Sequence, residues 1–127
     1  MSDLRICVVL TALLVTACAA QPAPSGPDLT ADQFGSMVVG KKLHYVAADR
    51  PGLTADATYR PDGTLDGTWS MNGSSGHVAQ TWKLDGDKVC NTDPKEGTHC
   101  VSFRQTGSGF AEVNAEGSLH GTDTVLQ

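Results

Sequence analysis

The sequence predicts an all-β domain, a small antiparallel meander of about eight short strands preceded by one short helix. From residue 42 onward, apolar and polar residues alternate with the period of two that is typical of half-buried strands. Turn signals separate these runs at short intervals, among them the Asp-Gly pairs at 62–63, 66–67 and 85–86. Because such links favour hairpins over crossovers, we expect either a small closed barrel or a strongly curled open sheet.

Residues 30–39 are expected to form the helix. Thr30 is a candidate N-cap, and Gln33 follows at the spacing of a capping box. Gly40 is suited to the position just after the helix, where a left-handed backbone conformation is common. Three apolar residues would share one helical face: Phe34, Met37 and Val38.

The strands are expected where the alternation holds. These segments are 42–47, 53–60, 65–71, 77–84, 88–90, 100–105, 110–114 and 118–125. Pro61-Asp62-Gly63 predicts a turn because proline presets φ and glycine accepts a positive φ. Residues 72–76, 85–87 and 91–99 are interpreted as the loops that separate later strands.

Residues 1–17 have the three parts of a signal peptide. The apolar part, 6–15, is ten residues long, whereas a membrane-spanning helix needs roughly 20. The run Val15-Thr16-Ala17-Cys18 resembles the signal of bacterial lipoproteins, which implies cleavage before Cys18 and acyl chains on that cysteine. The alternative is an ordinary secretory signal in which Cys18 has no special role.

The lipoprotein resemblance implies a membrane partner through the lipid and a location in the cell envelope. Ala19, rather than Asp, follows the cysteine, which in enteric bacteria is typical of an outer-membrane protein that faces the periplasm. Residues 18–28 contain three prolines and no large apolar residue, so they predict an extended tether. The remaining residues, 29–127, would form a single domain.

The four cysteines have different expected roles, which depend on their position in the chain. With Cys7 removed in the signal peptide and Cys18 lipidated, Cys90 and Cys100 remain, and an oxidising envelope compartment favours their pairing. Both stand at the outward parity of their strands, so the disulfide would staple a hairpin across loop 91–99. No Cys-x-x-Cys motif suggests a redox role.

Composition and motifs argue against several function classes. A net charge of −5 disfavours nucleic-acid binding. The histidines show no metal-ligand spacing, so they are interpreted as surface residues and no metal is expected: His44, His77, His99 and His120. Neither Gly-x-Ser-x-Gly nor Ser-x-x-Lys occurs, and we predict no catalytic residue and no cofactor.

Three aromatic residues on the inward parity, Tyr59, Trp69 and Trp82, are candidates for lining a ligand cavity. Core packing is the competing interpretation, because side chains usually fill the interior of a small barrel. Gln80 is the polar exception on the same face.

The segments 59–65, 81–90 and 99–103 resemble small, functionally uncharacterised secreted β-domains of Gram-negative bacteria, a likeness that implies the fold and no activity. The leading hypothesis is a non-enzymatic module that binds an envelope protein, by analogy with the layout of lysozyme-inhibitor lipoproteins. The second is a lipocalin-like carrier of a small apolar ligand. A hydrolase is disfavoured because a nucleophile–base pattern is missing.

Overall fold

The computed structural model describes residues 20–127, so the predicted signal segment, Cys7 and Cys18 lie outside it. Eight strands follow one another, β1 Lys42–Ala47, β2 Leu53–Tyr59, β3 Thr64–Met71, β4 Ser74–Asp85, β5 Lys88–Asp93, β6 Gly97–Gln105, β7 Gly109–Val113 and β8 Leu119–Val125. Each pairs antiparallel with the next, and β8 pairs with β1, which closes a barrel. The all-β meander is therefore confirmed, and the barrel is the alternative that forms. Within the described residues, no helix has the length and apolarity needed to cross a membrane.

The predicted helix is confirmed as α1, Ala31–Met37. Its capping box is complete, since Thr30 Oγ1 accepts from Gln33 N at 3.2 Å and Gln33 Oε1 accepts from Thr30 N at 2.9 Å. Asp87, in the β4–β5 turn, accepts a hydrogen bond from Ala31 N. These contacts fix α1 at the barrel end where β2, β4 and β6 terminate.

An aromatic cluster fills that end of the barrel. The ring of Phe34, which is 1% exposed, packs edge-on against Tyr59, Trp82 and Phe103 at centroid distances of 5.2, 5.5 and 5.0 Å. Val38 is also fully buried, in the same core. Helix and aromatic rings together close this end, which we call the closed end.

Some predicted turns are corrected by the structure. Asp66-Gly67 is no turn, since it lies inside β3, where a Cβ at Gly67 would collide with the backbone of Asp56. The predicted loop 72–76 reduces to Asn72 and Gly73, which take φ values of 50° and 84°. Two consecutive positive φ angles suit a two-residue hairpin, so β4 starts three residues earlier than expected.

The disulfide between Cys90 and Cys100 is confirmed. The two cysteines are direct cross-strand partners on β5 and β6, with Cα atoms 4.0 Å apart. The expected long loop 91–99 does not form, because pairing continues as far as Asp93 and Gly97. The bond therefore staples a continuous hairpin.

The described part of the predicted tether follows the barrel surface. We call residues 21–29 the N-terminal strap. Gln21 O accepts from Leu119 N, and Leu29 N donates to Phe103 O. Between these two contacts, Arg104 donates hydrogen bonds to Asp28 Oδ1 and to Pro24 O. The strap thus runs from the β7–β8 turn down to the closed end.

Candidate functional site

A cavity of about 1040 Å³ occupies the barrel from the aromatic cluster to the opposite end. It is open at that end, where the β1–β2 and β5–β6 turns contribute Asp49, Arg50, Lys95 and Glu96. Side chains just fill many eight-stranded barrels, so an open volume of this size departs from a packed interior. It lies at the upper end of the range of small-molecule sites, about 300–1,000 Å³.

The cavity has one largely apolar wall, formed by β1 to β4, to which β4 adds the polar residues His77 and Gln80. Small side chains on β2, Ala55 and Ala57, leave the space that larger residues would occupy. The wall also includes Leu43, Leu53, Trp69 and Met71. The opposite wall, from β5 to β8, is polar and includes Asn91, His99, Glu112, His120 and Asp123. Such a two-sided cavity matches a molecule with an apolar and a polar part.

The bottom of the cavity, next to the aromatic cluster, is formed by Tyr59 and Asn91. Tyr59 is 3% exposed, and its hydroxyl accepts a hydrogen bond from Asn91 Nδ2 at 2.8 Å. Burial is the main reason that the pKa of the Tyr59 phenol lies well above its usual value. Asn91 Oδ1 is buried and has no hydrogen-bond partner within the described chain. It is therefore an unused acceptor at the cavity bottom.

Two buried carboxyl groups, Glu112 on β7 and Asp123 on β8, hydrogen-bond each other in the polar wall. They are 5% and 3% exposed. Burial raises the pKa of Asp123 to about 6. Burial, and then the charge of Asp123, raise the pKa of Glu112 well above its ordinary value. Near neutral pH the two carboxyl groups thus share one proton and carry one negative charge between them.

Tyr45 connects the apolar wall to the polar one. Its hydroxyl donates to the backbone oxygen of His120 at 3.1 Å, and its ring covers Gly121 on the neighbouring strand. Burial, followed by the charges of Glu112 and Asp49, raises the pKa of the phenol. Tyr45 therefore stays neutral beside the acid pair.

Two histidines stack at the mouth of the cavity. The rings of His99 and His120 lie 4.6 Å apart between centroids. His99 Nε2 is 2.9 Å from Asn114 Oδ1, and His120 Nδ1 is 2.8 Å from Asp49 Oδ2. The interpretation of all four histidines as isolated surface residues is therefore incomplete. Residues 20–127 contain no group of three or more His, Cys, Asp or Glu arranged to hold a metal ion.

The three residues that were predicted to line a cavity do not all lie in it. Tyr59 and Trp69 line the cavity, whereas Trp82 is not among its lining residues. Trp82 packs against Phe34 and Tyr59 at the closed end, and its Nε1 donates to Arg60 O at 2.9 Å. Gln80, the polar exception, faces the cavity and donates to Asp93 Oδ2 at 3.4 Å.

The sequence reasoning missed the acid pair. Glu112 alternates with residues that are themselves buried, Ala111 and Val113, so the parity of β7 is ambiguous. Ala111 is buried on the outer side of β7, where the N-terminal strap crosses its neighbour Arg104. A carboxylate flanked by Ala111 and Val113 was nevertheless a usable signal, because acidic residues are rare in apolar strands.

No protein-family model matches the chain, and no curated protein or solved structure matches it significantly. Functional inference therefore rests on the geometry of the barrel.

Proposed function

We propose that the protein is a lipid-anchored envelope protein whose barrel binds a small amphiphilic molecule. The observation that carries this proposal is the open cavity of about 1040 Å³ with its opposed apolar and polar walls. A barrel that served only as a scaffold would gain stability by filling this space, because unfilled apolar volume is destabilising. The carrier hypothesis thus takes precedence over the protein-binding module.

The two predicted loops 72–76 and 91–99, which a protein-binding module would use to reach a partner, give that module little support. Residues 91–99 are mostly paired strand, and residues 72–76 reduce to a two-residue turn. The large apolar residues exposed on the described surface are only Val46, Val125 and Leu126. Protein interfaces usually present a broader apolar patch.

A hydrolase also gains no support from the histidine partners. The ring nitrogens of His44 and His120 contact Asp56 and Asp49, and that of His99 contacts Asn114. These are partners of structural histidines, and a nucleophilic hydroxyl or thiol does not join them in the described chain. The geometry favours binding without chemistry.

The position of the N-terminal strap supports placing the mouth of the cavity close to the membrane. Gln21 lies against Leu119, at the start of β8 and thus at the open end of the barrel. Gln21 is three positions along the chain from Cys18, and an extended chain spans at most about 3.6 Å per position. In this proposal a lipid on Cys18 holds the open end within about 11 Å of the membrane surface. An amphiphile could then pass between bilayer and cavity with little exposure to water.

The binding proposal is tested by titrating the protein with the neutral fluorescent probe N-phenyl-1-naphthylamine. We expect saturable binding of one probe per chain and displacement by 1-decanol. Ala55→Trp projects a large ring into the cavity and should weaken binding at least tenfold. Thr54→Trp, one residue earlier and on the outer face, is the matched control and should bind like the unmodified protein. Equal binding by both variants, or no saturable binding, would overturn the proposal.

The anchor is tested separately by mass spectrometry of membrane-extracted protein. The expected N-terminus is Cys18 with added acyl mass. A mature form that begins at another residue contradicts the anchor and leaves the cavity proposal standing.

A further inference from the structure

The acid pair leaves a buried negative charge inside the cavity. Glu112 and Asp123 share one proton, so one charge remains on two groups that are 5% and 3% exposed. A buried carboxylate is normally stabilised by a cation or by several hydrogen-bond donors. The donors and cations around this pair therefore decide how the charge is balanced.

The described chain offers the pair little compensation. Asp123 Oδ2 is buried and accepts no hydrogen bond from an N–H or hydroxyl group in residues 20–127. The two cationic residues of the cavity, Arg50 and Lys95, lie in the turns at the mouth, and Arg50 is 3.9 Å from Glu96. His44 is paired with Asp56 on the outer face of β1 and β2. A cation that faces the cavity side of the pair is thus missing from the described protein.

The neighbouring polar groups offer only neutral donors. One N–H of Asn91 donates to the Tyr59 hydroxyl and the Tyr45 hydroxyl donates to a backbone oxygen, which leaves the second N–H of Asn91 and the O–H of Tyr59. Asp123 shares a proton with Glu112, and Asn91 Oδ1 is a buried acceptor without a partner in the described chain. None of these neighbouring groups carries the positive charge that would balance the pair.

We propose that Asp123, together with Glu112 and Asn91, receives the ammonium group of an amphiphilic amine. This inference rests on the proposed function and specifies its ligand. The ammonium supplies the positive charge that the site lacks together with N–H donors for Asp123 and Asn91 Oδ1, while the alkyl part lies along the apolar wall of β1 to β4. A hydrogen bond between charged groups in a dry site is stronger than one between neutral groups.

The test compares ligands that share a ten-carbon tail. Decylamine, 1-decanol and decanoate are each used to displace N-phenyl-1-naphthylamine from the full, membrane-processed protein at pH 7.5. We expect decylamine to bind at least tenfold more tightly than 1-decanol and decanoate to bind most weakly. Equal affinity for decylamine and 1-decanol overturns this inference but leaves the cavity proposal intact. Displacement by none of the three overturns both.

Variants of the acid pair test whether it causes the preference for decylamine over 1-decanol. Asp123→Asn should reduce the decylamine-to-decanol affinity ratio about tenfold or more. Asp56→Asn removes a charge from the outer face and serves as the charge-matched control. A ratio that is unchanged in Asp123→Asn would contradict the assignment.

The pH dependence of the amine preference is measured on the unmodified protein, so it does not depend on the folding of any variant. The amine preference should fall as the pH decreases from 7.5 to 5, because Asp123 then becomes protonated. The titratable groups around the pair are Tyr45 and His44 on β1, Tyr59 on β2, Asp49 in the β1–β2 turn, and the stacked histidines at the mouth. Both phenols stay neutral over this range. A preference that stays constant down to pH 5 would exclude Asp123 as the receptor.

Discussion

The indole of Trp69 covers Gly76, the residue paired with it across β3 and β4. A Cβ added at Gly76 would lie 2.7 Å from the indole Nε1 and 2.8 Å from two ring carbons. The absence of a side chain at position 76 therefore fixes how Trp69 stands in the cavity wall. This relationship links one glycine to the shape of the proposed ligand site.

Gly76→Ala should displace Trp69 and reduce stability. Overpacking of this kind typically costs about 1–3 kcal/mol, and urea unfolding measures the loss. Affinity for N-phenyl-1-naphthylamine should change in the same variant. Gly107→Ala is the control, because a Cβ at Gly107 meets no atom within 4 Å. Similar unfolding curves for the two variants would show that the contact between Trp69 and Gly76 is unimportant.

Gly121 and Tyr45 should be energetically coupled. A Cβ at Gly121 would lie 2.6 Å from the Tyr45 hydroxyl oxygen and closer still to the ring. Gly121→Ala alone should therefore destabilise the barrel by about 1–3 kcal/mol. In a Tyr45→Ala background the same change should cost much less, and a double-mutant cycle measures the difference. Additive free energies within about 0.5 kcal/mol would refute this coupling.

The acid pair predicts greater stability at mildly acidic pH. The pKa of Asp123 is raised to about 6 from 3.8, so the folded state binds more protons than the unfolded state between these values. Stability should consequently fall as the pH rises from about 4 through 6, and it should fall further where Glu112 titrates. Asp123→Asn should raise the free energy of unfolding at pH 7.5 by about 1–3 kcal/mol and flatten this dependence.

The comparison between variants isolates the contribution of Asp123 to this pH dependence. Urea unfolding at pH 5, 6 and 7.5 for the unmodified protein and Asp123→Asn provides it. Parallel pH profiles in the two proteins would contradict the assigned role. A stabilising Asp123→Asn that loses amine preference would show that the charge is kept for binding at the expense of stability.

The disulfide should stabilise the barrel without shaping the cavity. Cys90 and Cys100 are separated by 10 residues, for which the chain-entropy model gives about 2.5–3 kcal/mol. The double variant Cys90→Ser/Cys100→Ser should lose about that much in urea unfolding and keep its probe affinity. Loss of probe binding under conditions in which the variant is fully folded would place the disulfide in the ligand site.

The antiparallel meander and the helix cap could be predicted because their signals are local. Period-two alternation, the turn at Gly63 and the spacing of Thr30 and Gln33 each act within a few residues. Closure could not be predicted, since it depends on the pairing of β1 with β8, about 80 residues apart. The placement of Trp82 failed for a similar reason, because α1 supplies Phe34 as its partner and the alternation within β4 does not reveal that contact.

Some of the residues that line the cavity could be predicted, but its open volume could not. Tyr59 and Trp69 follow from parity, but the open volume arises from Ala55 and Ala57, whose small size is equally compatible with tight packing. The acid pair depends on two strands, β7 and β8, whose outer faces are also apolar or small in part. Ala111 is buried on the outer side of β7, where the strap crosses. The alternation of residues along β7 therefore does not show which face points into the barrel.

Occupancy of the cavity is tested most directly by NMR of the protein labelled with ¹³C in its methionine methyl groups. Met71 lines the cavity, whereas Met37 on α1 packs against the core at the closed end. Titration with 1-decanol should shift the Met71 methyl signal saturably and leave the Met37 signal nearly unchanged. Shifts of equal size at both methyl groups, or a Met71 signal that does not respond, would contradict the proposal that this barrel holds a small amphiphile.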